Sequence, residues 1–261
     1  MREAEEGSWA KAATPRQVAA IARRTNARKE LPIISESYQS REMPLPVSGV
    51  TVGFRLQSEM NMKQAIQHLR RNDPVMAAII DRVGKYGIEY RPAEFESLVR
   101  SIVYQQLSGR VASVIFGRLA AATGTPLTPE SILKMRPARM RSLGLSRAKT
   151  DYIRDLARHT RDRKVVFDEL VSLADGEVIE RLTQVKGIGT WTAHMFLMFA
   201  LRRPDVLPVG DLGIRSAIRK AYGMSELPAP REIEELAGRW RPWCSVASWY
   251  LWRSLDGNAA L

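Results

Sequence analysis

Two features of the segment 182–215 have residue types suited to chemistry: the glycine pair Gly187 and Gly189, and Asp211 further along the chain. A carboxylate can stabilise a positive charge or deprotonate a water molecule. Asp211 ends a loop stiffened by Pro208, and a helical pattern starts directly after it. The same aspartate would therefore also suit the N-cap of that helix, and both interpretations are open at this point.

The glycine pair predicts a very tight connection between two helices. Glycine adopts backbone angles closed to other residues, so Gly187 and Gly189 can join a short helix to the apolar helix that follows. The bare backbone leaves N–H groups exposed beside the N-terminus of the second helix, with Thr190 as its expected N-cap. Such an end attracts phosphate. An ordinary corner between two helices would use the same glycines.

Together, the hairpin and the aspartate resemble the helix-hairpin-helix DNA glycosylases, whose signature is such a hairpin, a Gly/Pro-rich loop and an essential aspartate. Residues 182–189 (LTQVKGIG) match the hairpin, and residues 208–211 (PVGD) match the loop and the aspartate. The run 189–193 (GTWTA) looks most like the 3-methyladenine DNA glycosylase II branch, which removes alkylated bases. The resemblance extends from about Met62 to Gly257. It implies an all-α, compact, two-lobed fold with the active-site cleft between the lobes.

The resemblance assigns the catalytic role to Asp211, which would stabilise the oxocarbenium ion on the sugar and orient or deprotonate the attacking water. The nucleotide must first be flipped into a pocket. A positively charged alkylated base stacks well on electron-rich aromatic faces. Trp191 and Trp252 are the candidates for this stacking, with Tyr104 as a third.

Two positions depart from the pattern of this branch. Leu212 stands where a tyrosine often follows the catalytic aspartate, and Met195 stands where an aromatic residue is expected, so the pocket is less aromatic. In the bifunctional relatives a lysine at the place of Trp191 forms a Schiff base, and Lys186, before the first glycine, is not that position. The chain is therefore expected to be a monofunctional hydrolase that leaves an abasic site.

A polar interruption, residues 105–109 (QQLSG), breaks the strongest helical pattern of the chain, which covers residues 93 to about 122. One interpretation is that two adjacent helices meet at a serine N-cap, Ser108. In the family that the chain resembles, the matching segment bears the residue that fills the gap left by the flipped nucleotide. Gln106, with Leu107 next, is the residue expected to fill that gap.

Further DNA contacts are expected from the hairpin and from a basic run. The run from Lys134 to Lys149 carries six basic residues and no acid, which favours a phosphate-facing surface over a merely solvated face. The residues predicted to bind DNA are Gln106, Leu107, Ser108, Gly187, Gly189, Thr190, Arg147 and Lys149.

A structural cation is also implied by the resemblance. The family hairpin binds a monovalent cation, Na⁺ or K⁺, through backbone carbonyls, and Thr183, Val185 and Gly187 match those positions. No other cofactor is required for the reaction that the resemblance implies.

Composition agrees with a nucleic-acid partner. The 261 residues carry a net charge of +12 with a sequence pI of about 10.2, which suits DNA, RNA or an anionic membrane surface. The single cysteine, Cys244, excludes an intrachain disulfide and a cysteine-ligated zinc or iron–sulfur site. No segment approaches the ~18 apolar residues of a membrane span. The N-terminus, MREAEE, is not a secretory signal.

These features predict an intracellular monomer that acts on double-stranded DNA containing alkylated bases, in the cytoplasm and nucleoid of a bacterium or in the nucleus of a eukaryote. Residues 1–50 have the composition of a poorly ordered extension, and residues 51–261 form the expected glycosylase domain. A short extended piece is expected near Val50 to Leu56, and two helices are expected to be divided at Asp73-Pro74.

Two other function classes remain open from the sequence. A non-catalytic helix-hairpin-helix DNA-binding module would need the hairpin and the basic charge, but not Asp211 or the pocket tryptophans. A bifunctional glycosylase/lyase would need a lysine at position 191, which is a tryptophan here. Neither composition nor motif ranks the damaged bases.

Overall fold

The computed structural model describes residues 50–124 and 126–256, with only the backbone course given for residues 50–60. Within this part of the chain there are thirteen helices and no strand. The helices are α1 Val50–Asn72, α2 Pro74–Val83, α3 Phe95–Tyr104, α4 Gly109–Thr123, α5 Pro129–Lys134, α6 Pro137–Ser142, α7 Arg147–Arg161, α8 Phe167–Leu170, α9 Asp175–Thr183, α10 Thr190–Phe199, α11 Leu212–Ala221, α12 Pro230–Ala237 and α13 Cys244–Arg253.

Two separate hydrophobic cores divide the helices into two lobes, which confirms the all-α, two-lobed fold expected from the sequence. The first lobe comprises α3 to α10 and packs around side chains such as Leu98, Ile153 and Leu197. The second lobe combines the N-terminal α1 and α2 with the C-terminal α11 to α13, around side chains such as Leu69 and Trp240. The chain therefore crosses from one lobe to the other twice, before α3 and after α10.

Polar N-caps and proline begin α2 and α5, and the division between α1 and α2 falls at Asp73-Pro74, as the sequence predicts. Asp73 caps α2 through hydrogen bonds from Val75 N and Met76 N, and Pro74 occupies the first turn. Thr128 caps α5 in a capping box with Ser131. The break between α3 and α4 also falls within the predicted polar segment.

The short extended piece expected near Val50 to Leu56 is wrong, because this stretch is the beginning of α1. The described part of the chain has no strand with which an extended segment could pair, whereas a helix satisfies its backbone N–H and C=O groups internally. Apart from Val50, the predicted extension of residues 1–50 lies outside the described residues.

A buried carboxylate connects the N-terminal and the C-terminal helices of the second lobe. The Asp73 side chain is completely buried, and its Oδ2 accepts hydrogen bonds from Tyr222 Oη at 2.5 Å and from Trp240 Nε1 at 2.9 Å. Its Oδ1 accepts the two N-cap hydrogen bonds of α2. Because every one of these donors points to the same carboxylate, α2 is fixed relative to the ends of α11 and α12. None of the described helices has the length and apolarity needed to span a membrane.

Candidate active site and DNA-binding loops

Asp211 directly precedes the first turn of α11, and its backbone N–H donates to Pro208 O at 2.9 Å. Its Oδ1 accepts a hydrogen bond from Ile214 N at 2.8 Å, so the residue is the N-cap that one interpretation predicted. This contact uses one lone pair of one oxygen. The N-cap and the catalytic interpretations therefore do not exclude each other.

Two indole N–H groups also donate hydrogen bonds to this carboxylate. Trp191 Nε1 donates to Asp211 Oδ2 at 2.6 Å, and Trp252 Nε1 donates to Oδ1 at 2.9 Å. An ionised carboxylate offers about four lone-pair sites, and these two contacts and that of Ile214 N occupy three of them. The one that is left belongs to Oδ2, so this oxygen has room for one more donor.

The two tryptophans come from different lobes. Trp191 lies in the first turn of α10 and is 43% exposed. Trp252 lies in the last turn of α13, is half-buried, and packs against the cores of both lobes. Its ring stacks on Phe199 with a centroid distance of 6.1 Å and an interplanar angle of 23°. Asp211 and both predicted stacking tryptophans thus meet where the two lobes adjoin.

The other predicted pocket residues have different surroundings. Leu212 is exposed directly beside Asp211. Tyr104 is half-buried at the end of α3, and the guanidinium of Arg100 lies over its ring at 4.2 Å from the centroid. One face of Tyr104 is therefore already covered by a positive charge. The hydrogen bonds to the Asp211 carboxylate come from Trp191, Trp252 and Ile214 N, not from Tyr104.

Met195 is almost completely buried in the first lobe, because α10 is apolar around most of its circumference. It lines a small pocket with a cavity volume of about 30 Å³, which is large enough for water. Phe199, the stacking partner of Trp252, lines the same pocket.

The hairpin depends on one of its glycines more than on the other. Gly187 has φ +80°, and a Cβ atom at this position would lie 2.1 Å from the ring of Tyr152 in α7. Gly189 has φ −95°, a value open to other residues, and nothing within 4 Å of a Cβ atom. The prediction that both glycines use special backbone angles is therefore wrong for Gly189. Gly189, not the predicted Thr190, is the N-cap of α10, because the helix begins at Thr190, one residue earlier than a Thr190 cap would need.

The polar segment between α3 and α4, residues 105–108, forms a loop that we name the wedge loop. Gln106 is exposed and has φ +57°, a backbone angle that non-glycine residues rarely adopt. Leu107 is half-buried against the first core, and Ser108 is the N-cap of α4 without a side-chain cap hydrogen bond. Of the three predicted DNA contacts in this loop, Gln106 and Ser108 are thus the exposed ones.

Gln105, which the sequence did not single out, joins the wedge loop to the hairpin. Its Nε2 donates to Gly187 O at 2.9 Å and lies 3.4 Å from Thr192 Oγ1 in α10. Lys149 Nζ donates to Gln105 O and Val103 O, each at 2.7 Å. The structure therefore brings the wedge loop, the hairpin and the first turn of α7 together.

Two further residues, Asp155 and Gly213, contribute to this geometry and were not predicted from the sequence. Asp155 Oδ2 accepts a hydrogen bond from Lys186 N at 3.0 Å. Burial alone would raise the pKa of Asp155, but the hydrogen bonds that its carboxylate accepts from Lys186 N–H and from Arg158 lower the pKa overall. A Cβ atom on Gly213 would lie 3.0 Å from Trp252 Cδ1 and from Asp211 Oδ1. The glycine two residues after Asp211 was a sequence signal for this close approach, whereas Asp155 gave none.

Five basic residues of the predicted phosphate-facing run are exposed, and none forms an ion pair in the described part of the chain. Of the helices that carry them, α7 lies next to the wedge loop, because Lys149 in its first turn contacts that loop. The five residues are Lys134, Arg136, Arg139, Arg141 and Arg147.

The predicted cation ligands are partly engaged in other contacts. Val185 O accepts a hydrogen bond from Ile188 N, and Gly187 O accepts the one from Gln105 Nε2, so each of these oxygens keeps one lone pair for an ion. Thr183 is exposed at the end of α9. The described residues contain no group of three or more His, Cys, Asp or Glu side chains that could hold a metal ion. The monovalent cation stays a prediction.

Comparison with known proteins identifies relatives with the same fold. The family described as HhH-GPD superfamily base excision DNA repair protein matches residues 99–242. DNA-3-methyladenine glycosylase 1 of Schizosaccharomyces pombe is 33% identical over 201 residues, which cover 74% of this chain and 88% of that protein.

Two solved structures are similar over most of their length. The 3-methyladenine DNA glycosylase of Schizosaccharomyces pombe in complex with abasic DNA has a TM-score of 0.66 and 34% identity, covering 72% of this chain and 95% of that one. A DNA-3-methyladenine glycosidase from Bacillus halodurans has a TM-score of 0.68 and 36% identity, covering 74% of this chain and 89% of that one.

The two hairpin glycines give a matched pair of variants. Gly187→Ala forces a Cβ atom into the Tyr152 ring at φ +80°, so its free energy of unfolding should fall by about 1–3 kcal/mol from the backbone alone. Gly189→Ala should lose less, about 0.5–1 kcal/mol, because its Cβ meets nothing and only the preference for glycine over alanine at the N-cap of α10 is lost. Urea unfolding measures both. Equal losses for the two variants would contradict the hairpin geometry described above.

Proposed function

Because the chain belongs to the HhH-GPD superfamily of base excision DNA repair proteins, we propose that it is a monofunctional DNA glycosylase of the 3-methyladenine class. It flips an alkylated base, of the 3-methyladenine or 7-methylguanine kind, out of duplex DNA and hydrolyses the bond between base and sugar. The observation that carries this proposal is the Asp211 carboxylate, held by two indole N–H groups where the lobes adjoin.

Duplex binding rests on three surfaces that lie next to each other. The N-terminus of α10, after Gly187 and Gly189, offers free backbone N–H groups to a phosphate. The exposed basic residues of α5 to α7 supply positive charge that attracts the backbone regardless of sequence. The wedge loop offers Gln106 to the base stack. The proposed partner is therefore double-stranded DNA; action as a monomer is part of the proposal.

The base pocket follows from how the indoles are held. Since both N–H edges are fixed on Asp211, the surfaces left for a base beside the carboxylate are the ring of Trp191 and the face of Trp252 that is not stacked on Phe199. A cationic alkylated base is attracted to such faces more strongly than a neutral base. Tyr104 is the weaker candidate for this stacking, because the guanidinium of Arg100 already covers one of its faces.

The chemical step needs little besides the carboxylate. Positive charge develops on the sugar as the bond to the base breaks, and a negatively charged Asp211 beside the sugar stabilises it. Its Oδ2 has one lone pair left to accept a proton from, or to orient, the attacking water. A cationic base leaves as a neutral molecule, so no strong general acid is required.

Hydrolysis without strand cleavage follows from the residue at position 191. A lyase needs an amine there to form a Schiff base, and the tryptophan present cannot form one. Lys186 is exposed on the other side of Gly187, and its backbone is held by Asp155. A DNA-binding module without catalysis would have no use for the arrangement of Asp211 and the two indoles.

A set of duplexes with one damaged base each tests this function. Purified protein should release 3-methyladenine and 7-methylguanine, and alkali should then cleave the strand at the abasic site, whereas borohydride should trap no covalent complex. Duplexes with 1,N6-ethenoadenine, hypoxanthine, uracil or no damage define the range. Trapping by borohydride would identify a lyase, and binding without release from any duplex would identify the non-catalytic module.

The wedge residue is tested by its dependence on the opposite base. Gln106→Ala leaves the gap in the stack unfilled, so excision from a matched duplex should slow by on the order of tenfold for each 1.4 kcal/mol of lost support. The defect should shrink when the damaged base lies opposite a mismatch or an abasic gap, where flipping costs less.

Gln106→Gly is the matched control for the backbone, because glycine adopts φ +57° without strain. Both variants should show the same defect in single-turnover excision. A defect in the alanine variant alone would indicate backbone strain rather than a missing wedge. Equal losses on matched and mismatched duplexes would contradict the wedge role of Gln106, and Leu107 would then be tested in the same way.

A further inference from the structure

One face of α7 contacts both DNA-binding loops. Lys149 binds the wedge loop, Tyr152 lies under Gly187, and Asp155 holds Lys186 N of the hairpin. These three residues are spaced by three positions and therefore lie along one side of the helix. The helix thus holds the wedge loop at one end and the hairpin two turns further on.

Lys149 forms the end of this contact at the wedge loop. Its ammonium donates to Val103 O and to Gln105 O, which belong to the last turn of α3 and to its C-cap residue. Carbonyls at a helix C-terminus lack intrahelical donors and carry partial negative charge, so a cation there satisfies both needs. Burial lowers the pKa of Lys149, which agrees with an amine withdrawn from solvent.

The backbone directly after these carbonyls is the strained one. Gln106 follows Gln105 with φ +57°, a conformation that surrounding contacts must enforce for a residue with a side chain. Lys149 fixes the Gln105 carbonyl, and Gly187 O fixes the Gln105 side chain. Gln105, the residue before Gln106, is therefore bonded both to Lys149 of α7 and to Gly187 of the hairpin.

We propose that Lys149 is a positioning residue for base flipping. It holds the wedge loop at a fixed separation from the phosphate-binding hairpin, so that Gln106 enters the duplex in register with the bound backbone. The sequence alone had grouped Lys149 with the phosphate contacts; the geometry assigns its charge to the loop instead. The inference rests on the proposed function, since only a flipping enzyme needs this register.

A phosphate-binding role and a positioning role for Lys149 predict different salt dependences of DNA binding. A lysine that neutralises a phosphate contributes about 0.9 to the slope of log K for DNA binding against log salt concentration, and its removal lowers the slope by that amount. A lysine bound to carbonyls of its own chain contributes nothing to this slope. A positioning lysine should instead affect flipping, and the effect should depend on how firmly the target nucleotide is stacked.

The test compares three variants of the whole chain. Lys149→Met removes the two hydrogen bonds and keeps the length of the side chain. Lys149→Arg keeps a donor group that can reach both carbonyls. Lys164→Met is the charge control, because Lys164 is exposed beyond the other end of α7, about 20 Å away along the helix.

Single-turnover excision by Lys149→Met should fall by about tenfold on a matched duplex, the equivalent of about 1.4 kcal/mol, and by less when the damaged base lies opposite an abasic gap. The salt slope should not change. Lys149→Arg and Lys164→Met should excise like the original chain. An unchanged rate, an equal loss on both duplexes or a salt slope lowered by about 0.9 would each overturn the positioning role.

Two additions keep the test decisive. Gln105→Met cuts the other link of the wedge loop and should give the same duplex-dependent defect, so it replaces Lys149→Met if that variant does not fold. Fluorescence of 2-aminopurine placed beside the damaged base reports flipping without excision. Failure of the proposed function would appear as flipping by the original chain without release, whereas failure of the inference would appear as normal flipping by Lys149→Met.

Discussion

The hydrogen bonds from Trp191 and Trp252 to the Asp211 carboxylate are the interaction on which the arrangement of the site depends. The carboxylate belongs to the first turn of α11 in the second lobe, Trp191 belongs to α10 in the first lobe, and Trp252 packs on both cores. The three groups can meet only when the lobes adjoin as they do here. The buried Asp73 network then matters indirectly, because it fixes the end of α11 within the second lobe.

These contacts are compatible with both the N-cap role of Asp211 and the chemical role proposed for it. Oδ1 is saturated by Ile214 N and by the Trp252 indole, so it fixes the orientation of the carboxylate. Oδ2 accepts the Trp191 indole and keeps one lone pair for a further donor. An oriented carboxylate needs no reorganisation when charge develops on the sugar, which is the condition for strong electrostatic stabilisation.

Much of this account could be predicted from local sequence. The helix ends at Asp73-Pro74 and at Thr128 follow from cap and proline preferences, which act over one turn. The aspartate proposed as catalytic and the two tryptophans beside it were expected from the resemblance of the joint hairpin and loop motif to the family. Periodicity and caps also gave the break between α3 and α4.

The failures have a common cause, which is contact between residues distant in sequence. In sequence, Asp155 looks like an ordinary polar helix residue and Gln105 like part of a polar break between helices, and only the fold brings them to Lys186 and Gly187. Lys149 looked like a phosphate contact because its neighbours in sequence are basic, yet its partners are carbonyls of another helix. The different roles of Gly187 and Gly189 likewise depend on the Tyr152 ring, which no local pattern reveals.

The central claim is that Asp211 performs chemistry, and the variant Asp211→Asn tests it most directly. Asparagine caps helices as well as aspartate does, and its Oδ1 can still accept from Ile214 N and Trp252 Nε1, whereas its amide nitrogen cannot accept from Trp191 Nε1, so one of the three hydrogen bonds is lost. The variant should still fold and should bind an alkylated duplex as tightly as the original chain, or more tightly because a negative charge near the phosphates is removed. Single-turnover excision should fall by on the order of 100- to 10,000-fold, the usual contribution of such a group. It should not recover on a mismatched duplex, since the fault lies after flipping. Near-normal excision by a folded Asp211→Asn protein would contradict the account.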